Sequence, residues 1–354
     1  MSIRVAINGF GRIGRTVLRA VSDAGILGKG IDIAAVADIS ADADYLAYLL
    51  KYDSIHGRFQ QPLTTYKSDP LKKDDDILVL NNHRIKCLTA SGDPSQLPWK
   101  ELGVDVVIES SGLFPDSAMA SGHIKAGAKK VIITAPAQGD AKTIIMGVNE
   151  NEYEPSGHHI ISSASCTMNA LGMLVKVLIK EGIGIETAHI TAINSYTSSQ
   201  RLVDGISKKD RRSGRAAAAN IIPTATSAAR TAWEVFPGLK GRIAGVSYRV
   251  PTADASSIDL TFRADRETSI GEIDGLMKNA SETYLKGRLG YTQDELVSSD
   301  FINDPSSAVY DSAATYRSNI KEERRLFRLI AWHDNEWGHA NRVVDLVRYL
   351  QQHK

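Results

Sequence analysis

The chain has 354 residues, 43% of them hydrophobic and 23% charged, which is the balance of a soluble globular protein and excludes a disordered or membrane-embedded one. With 42 basic and 41 acidic side chains the formal charge is +1, so no global field recruits nucleic acid or an anionic membrane, and any anion site must be local. Two cysteines, Cys87 and Cys166, cannot build a disulfide framework and fit a reducing, cytoplasmic setting. Met1 runs directly into strand-like residues, so no leader is expected, and no apolar run has spanning length.

The length predicts two domains. In the first half, β-rich runs at Ile3 to Ile7, Ile31 to Val36, Val104 to Glu109, Lys130 to Thr134 and His159 to Ser162 alternate with helical patterns, which implies a parallel, doubly wound sheet. Between the first two runs, Ile13, Val17 and Val21 recur every four residues and Gly25 follows, marking an amphipathic helix with its C-cap and completing a βαβ unit. After Cys166 one apolar helix, Met168 to Ile179, ends near Gly182. Strands such as Ile190 to Ile193 and Ile258 to Phe262 then indicate a mixed, more antiparallel second domain. The basic stretch Ser207 to Arg215, with Lys208, Lys209, Arg211, Arg212 and Arg215, reads as a solvated loop. A last helix carrying Val343, Val344, Leu346, Val347 and Leu350 should return an apolar stripe to a core.

Two local patterns carry chemistry. Gly9-Phe10-Gly11-Arg12-Ile13-Gly14 directly follows the first strand and opens the first helix. Its glycines allow a tight turn, close approach of a pyrophosphate and tight helix–strand packing, while the helix start offers N–H groups to phosphate. Asp38 closes the next strand 24 residues after Gly14, where an acid accepts from a ribose 2′-hydroxyl and repels a 2′-phosphate, so NAD is expected rather than NADP. The second pattern is Ser165-Cys166-Thr167 at a strand-to-helix junction, where a helix dipole should favour thiolate; Cys166 is the expected nucleophile, and Cys87 reads as an inert core residue. A thiolate beside NAD suits aldehyde oxidation through a thioester.

With these motifs in place, the chain resembles phosphorylating, NAD-dependent glyceraldehyde-3-phosphate dehydrogenases along nearly its whole length. The resemblance rests on Tyr52-Asp53-Ser54-Ile55-His56-Gly57-Arg58-Phe59, Gly147-Val148-Asn149, Arg249-Val250-Pro251-Thr252 and Asp334-Asn335-Glu336-Trp337-Gly338. It implies an α/β protein: a Rossmann domain over residues 1–165, completed by a C-terminal helix over 335–354, and an α+β catalytic domain with a mixed, largely antiparallel sheet over 166–334. It further implies a glycolytic homotetramer in which the loop from Tyr196 to Arg215 faces a neighbouring subunit, with a small phosphorylated aldehyde and inorganic phosphate as partners and no metal, nucleic acid or membrane. Gly9, Phe10, Gly11, Arg12, Ile13, Asp38, Ser111, Thr134 and Asn335 are then cofactor residues. Thr197 and Arg249 resemble the substrate-phosphate site, and Ser165, Thr167, Thr226 and Ser227 the inorganic-phosphate site.

The resemblance breaks at one chemically decisive point. The family strand carries a histidine base where this chain has Asn194, and a neutral amide cannot accept the proton released during hydride transfer. Met168, Ser227, Gly92 and His339 replace, respectively, a threonine, a glycine, an arginine and a tyrosine of the family. His339 is the candidate substitute base, and the plainer reading, that it fills the tyrosine's space, stands ahead of that one. An enzyme acting on erythrose 4-phosphate and a catalytically impaired NAD-binding relative are the competing expectations.

Overall fold

The computed structural model describes residues 2–40, 42–90, 92–208 and 210–353, so Lys209 of the basic loop lies outside the described residues. The chain divides into two compact units. The first comprises residues 1–144, 150–164 and 340–354, and the second residues 145–149 and 165–339.

The first unit is built on β1 (Ile3–Asn8), α1 (Arg12–Asp23), β2 (Ile31–Asp38), α2 (Ala43–Lys51), β3 (Leu63–Tyr66), β4 (Ile77–Leu80), β5 (His83–Thr89), β6 (Val106–Glu109), α3 (Ser117–Lys125), β7 (Lys130–Ile133), β8 (Lys142–Thr143) and β9 (Ile160–Ser162). Its sheet runs β3-β4-β5-β2-β1-β6-β7-β9-β8. The strands from β5 to β8 are parallel, and an antiparallel β3–β4–β5 meander closes one edge. Strand order reverses at β1, which has β2 on one side and β6 on the other, the point where doubly wound sheets bind ligands. The central strands carry nearly unbroken apolar runs, as parallel strands covered on both faces must: Val5, Ala6, Ile7, Ile33, Val36, Val107 and Ile132 are all buried. Asp42 and Asp116 cap α2 and α3 by accepting from the first-turn N–H groups of each helix.

The second unit contains α4 (Cys166–Lys180), β10 (Thr187–Ser195), β11 (Ile222–Thr224), α5 (Ala228–Val235), β12 (Ile243–Val250), β13 (Ser256–Arg263), α6 (Ile270–Glu282), β14 (Leu289–Thr292), β15 (Ala308–Arg317) and β16 (Leu326–His333). Its sheet runs β11-β12-β10-β13-β16-β15-β14, and only the β10–β12 and β14–β15 pairs are parallel. The short segment 145–149 belongs here because Lys176 Nζ donates to the Val148 carbonyl at 3.0 Å and the backbone of Gly147 lies against Leu285, Arg288 and Met173. The terminal helix α7 (Trp337–Gln352) buries Val343, Val344, Leu346, Val347 and Leu350, the stripe its spacing predicts. From Ala340 onward it belongs to the first unit, where Tyr349 stacks edge-on against Tyr153 and Gln351 donates to the Gly30 carbonyl.

An ion pair fixes the start of α1. The guanidinium of Arg12 donates to both oxygens of Asp53, at 2.8 and 3.2 Å, and Asp53 also accepts from the N–H groups of Ile55 and His56. Burial pushes the Asp53 carboxyl up, but these N–H groups and Arg12 outweigh it and hold the carboxyl at about 2 against an ordinary 3.8. A depressed carboxylate stabilises the fold above its unfolded value, and that contribution disappears as pH falls through the folded one. Urea unfolding of wild type and Asp53→Asn should therefore differ by about 1 kcal/mol at pH 6, a figure already reduced for solvent screening. The difference should shrink as pH falls below about 4 and vanish only below about pH 2, whereas a pH-independent difference would remove the ion pair from the explanation.

Candidate functional site

In the first unit, β1 ends in a turn that only glycine can make. Gly9 has φ +89°, and a Cβ there would lie 2.3 Å from the Ser111 nitrogen; a Cβ on Gly14 would lie 2.2 Å from the Gly9 carbonyl oxygen. Gly11 is the opposite case, since a Cβ would meet nothing within 4 Å, so its backbone is open to close approach by a ligand. No side chain caps the first turn of α1, which leaves that helix end suited to an anion. A cleft of ≈ 390 Å³ opens here, lined by Asn8, Gly9, Gly11, Asp38, Gly92 and Ser111 among others.

Asp38 lines the cleft with its carboxylate fixed, accepting from Phe10 N at 2.6 Å and Ile39 N at 2.7 Å. Each oxygen keeps capacity for a further donor, as a diol requires. Ile13 is partly buried in α1, and Thr134, just past β7, bonds through N and Oγ1 to the Glu109 carbonyl at 3.0 and 3.2 Å. Open glycine backbone, an uncapped helix start and an oriented acid together fit a dinucleotide without a 2′-phosphate.

In the second unit, Cys166 is the first residue of α4, so the helix begins two positions before the Met168 start that the apolar run predicts. The chain enters it through Ala164 at φ +58°, uncommon for a residue with a Cβ, and through Ser165, whose Oγ caps the helix by accepting from Met168 N at 3.1 Å. Cys166 is partly exposed and reduced, whereas Cys87 is buried with its thiol pushed up to about 12.

The electrostatics of Cys166 differ from the dipole expectation. Burial raises its thiol above the ordinary value, and the nearby Arg249 charge and hydrogen bonds with Thr167 oppose that rise without reversing it. A helix end lowers a thiol only when the thiolate stays solvated or paired, and here desolvation is the larger effect.

The strand next to the thiol carries Asn194, which is 5% exposed. Its Nδ2 donates to Ser247 Oγ at 2.8 Å, and its Oδ1 accepts from Thr167 Oγ1 at 3.4 Å. Both ends of the amide are engaged, so Asn194 orients neighbours. Alongside, the parallel β10–β12 register pairs Asn194 with Arg249, whose Nη1 donates to the Ser195 carbonyl at 2.8 Å. Ser195 N donates to Ser256 Oγ at 3.1 Å, and that hydroxyl donates to Asn335 Oδ1 at 2.7 Å. The Ser256 hydroxyl thereby holds the oxygen end of the Asn335 amide, whose other end is a donor.

The expected anion-binding residues are less gathered. Thr197 is exposed and bonds to Ser199 and Gln200, Thr226 accepts from Ala228 N, and Ser227 precedes α5; among the described residues no hydrogen bond joins any of them to Arg249 or Cys166. His339 is 4% exposed and His333, on β16, is 1% exposed. Burial and the neighbouring His339 lower His333 to about 3, so its imidazole is neutral at physiological pH. Antiparallel registers place Ser256 opposite His333, and the β10–β13 register carried one residue further places Asn194 opposite Ser256, so the three side chains share one face of the sheet. Sequence reading missed Ser247, Ser256 and His333, because strand serines signal nothing until cross-strand pairing shows what they touch.

Two family models match the chain: "Glyceraldehyde 3-phosphate dehydrogenase, NAD binding domain" over residues 3–117 and "Glyceraldehyde 3-phosphate dehydrogenase, C-terminal domain" over residues 165–335. Among similar proteins, a glycosomal glyceraldehyde-3-phosphate dehydrogenase of Crithidia fasciculata is 56% identical over 98% of this chain and 96% of its own length. A glyceraldehyde-3-phosphate dehydrogenase of Treponema pallidum strain Nichols is 49% identical over 99% of both chains. A chloroplastic one of Arabidopsis thaliana is 43% identical over 98% of this chain and 78% of its own. No helix among the described residues is long and apolar enough to cross a membrane. Two domain matches in sequential order and near full-length identity to these enzymes establish that the chain belongs to the glyceraldehyde-3-phosphate dehydrogenase family.

Proposed function

We propose that this chain oxidises glyceraldehyde 3-phosphate, or a closely related phosphorylated aldehyde, with NAD and inorganic phosphate, in a family site whose histidine base has become Asn194. The observation that carries this reading is the junction where Cys166 opens α4 beside Thr167, Asn194 and Arg249. NAD, when bound, supplies the hydride acceptor. Gly11 and the start of α1, with Arg12 and Ile13, would take the pyrophosphate, Asp38 would take the ribose diol, Thr134 and Ser111 would serve the nicotinamide end, and Asn335 would offer its NH₂ to the carboxamide.

Cys166 attacks the aldehyde carbon as thiolate, the resulting alkoxide takes up a proton from solvent to become the hydroxyl of a hemithioacetal, and loss of hydride to the dinucleotide and of the hydroxyl proton to a base leaves a thioester. Phosphate then displaces the sulfur and regenerates the thiolate. Arg249 faces the thiol and favours its ionised form. Thr197 and Arg249 suit the phosphate of the substrate, while Ser165, Thr167, Thr226 and Ser227 suit the attacking one: neutral donors with one guanidinium let a dianion bind and leave. The loop from Tyr196 to Arg215 suits a subunit contact in a cytoplasmic homotetramer, since Leu202, Val203 and Ile206 stand 86%, 71% and 88% exposed in a single chain. Lys208, Arg211, Arg212 and Arg215 are exposed alongside, as a solvated loop would have them.

Loss of a general base costs about 10² to 10⁴ in rate. The acceptor proposed in its place is His339, supported by its position beside His333 on the sheet face that carries Asn194.

Stopped-flow measurement of NADH formation from glyceraldehyde 3-phosphate, with and without phosphate, tests the whole reading. A phosphate-dependent steady state is expected, and absence of any NADH with this and other phosphorylated aldehydes would defeat it. Asn194→His should raise the hydride-transfer rate by about 10²-fold and speed thiol alkylation at pH 7, because an imidazole can share the thiol proton. His339→Ala should lower hydride transfer by at least about 10-fold while alkylation of Cys166 stays unchanged; an unaltered hydride-transfer rate would return His339 to the role of space filler.

A further inference from the structure

Glu109, the last residue of β6, is 2% exposed and carries no function in the scheme above. Its Oε1 accepts from Ser111 N at 2.8 Å and from Ser111 Oγ, and its Oε2 accepts from Asn8 Nδ2 at 2.5 Å and from His123 Nε2 at 2.9 Å. The group accepts at both oxygens and donates at neither, which is the bonding pattern of a carboxylate.

Behind it, His123 is 0% exposed and its Nδ1 takes the indole N–H of buried Trp99 at 2.9 Å. An Nδ1 that accepts leaves the ring proton on Nε2, facing Glu109, so the imidazole is neutral. None of the four donors is a cation. The network therefore holds one net negative charge inside the first unit, an arrangement that costs more than a neutral amide or an apolar residue there would.

That charge is attached to the cofactor cleft. Asn8 and Ser111 both line it, and the main-chain carbonyl of Glu109 accepts from Thr134, the residue proposed to lie near the nicotinamide. The oxidised and reduced forms of a nicotinamide dinucleotide differ by one hydride, so the ring changes from cationic to neutral. A fixed anion in a poorly solvated wall attracts the first form and is indifferent to the second.

We propose that Glu109 sets the redox preference of this site, binding oxidised dinucleotide in preference to reduced through its buried charge. This rests on the dinucleotide reading of the cleft. At a separation on the order of 10 Å and an effective dielectric constant of roughly 20, one charge changes relative affinity by on the order of tenfold. For a two-electron couple, tenfold corresponds to about 30 mV in the potential of the bound cofactor.

The test is to titrate the full chain separately with NAD and NADH and to compare the ratio of dissociation constants across variants. Glu109→Gln should weaken NAD binding about tenfold more than NADH binding. Glu109→Asp keeps the charge and should keep the ratio, whatever it does to absolute affinity. Ser111→Ala removes a contact without touching the charge and should weaken both forms equally.

An equal loss of both affinities in Glu109→Gln would overturn the proposal and leave Glu109 a purely structural clamp. The new amide would face the His123 N–H, so thermal melts accompany the titrations. If the single variant does not fold, Glu109→Gln with His123→Gln supplies an oxygen for that amide, and the same change in ratio is expected. A wild-type chain that binds neither form would overturn the cofactor reading itself, an outcome distinct from an unchanged ratio.

Discussion

The constraint on which the cofactor cleft depends is the close approach of two strand ends. The backbone of Gly9, leaving β1, lies so near Ser111, just past β6, that no side chain can be inserted between them. Everything on the cofactor side follows from that approach. It places Asn8 and Ser111 on the lining of one cleft, lets Glu109 bond both, and leads into an α1 whose first turn no side chain caps. Glycine at this position is a steric necessity, because the alternative is a backbone clash that neither strand can relieve without leaving the sheet.

Much of this was legible in the chain. Parallel strands buried on both faces write themselves as apolar runs, so β1, β2, β6, β7 and β9 were visible along with the turn that follows β1. The edge meander was not. Leu63–Tyr66 and Ile77–Leu80 are short, and their pairing depends on contacts across the sheet. A signal was present all the same: Asn81 and Asn82, with φ of 51° and 64°, form the two-residue turn between β4 and β5 that asparagine tolerates well.

The catalytic side divides in the same way. The thiol at a helix start and the amide at Asn194 can be read in one dimension. What the amide does is a fact of three: Ser247 stands 53 positions away and meets it only because β12 lies beside β10 in parallel. The ionisation of Cys166 departs from the dipole expectation for a related reason, since the dipole belongs to the helix and is local, whereas desolvation is set by everything packed around it. Asn194 works by holding its neighbours still, and two buried imidazoles, His333 and His339, belong to the same unit.

The contrast between the two sulfurs has a practical side. Cys87 is buried in β5 beside β2, where desolvation pushes its thiol up to about 12, while Cys166 is partly exposed. A colourimetric thiol reagent added to the native chain therefore counts one sulfur per polypeptide, and the second becomes countable only when the sheet comes apart. The protein carries its own clock for global opening, readable without label or engineered probe.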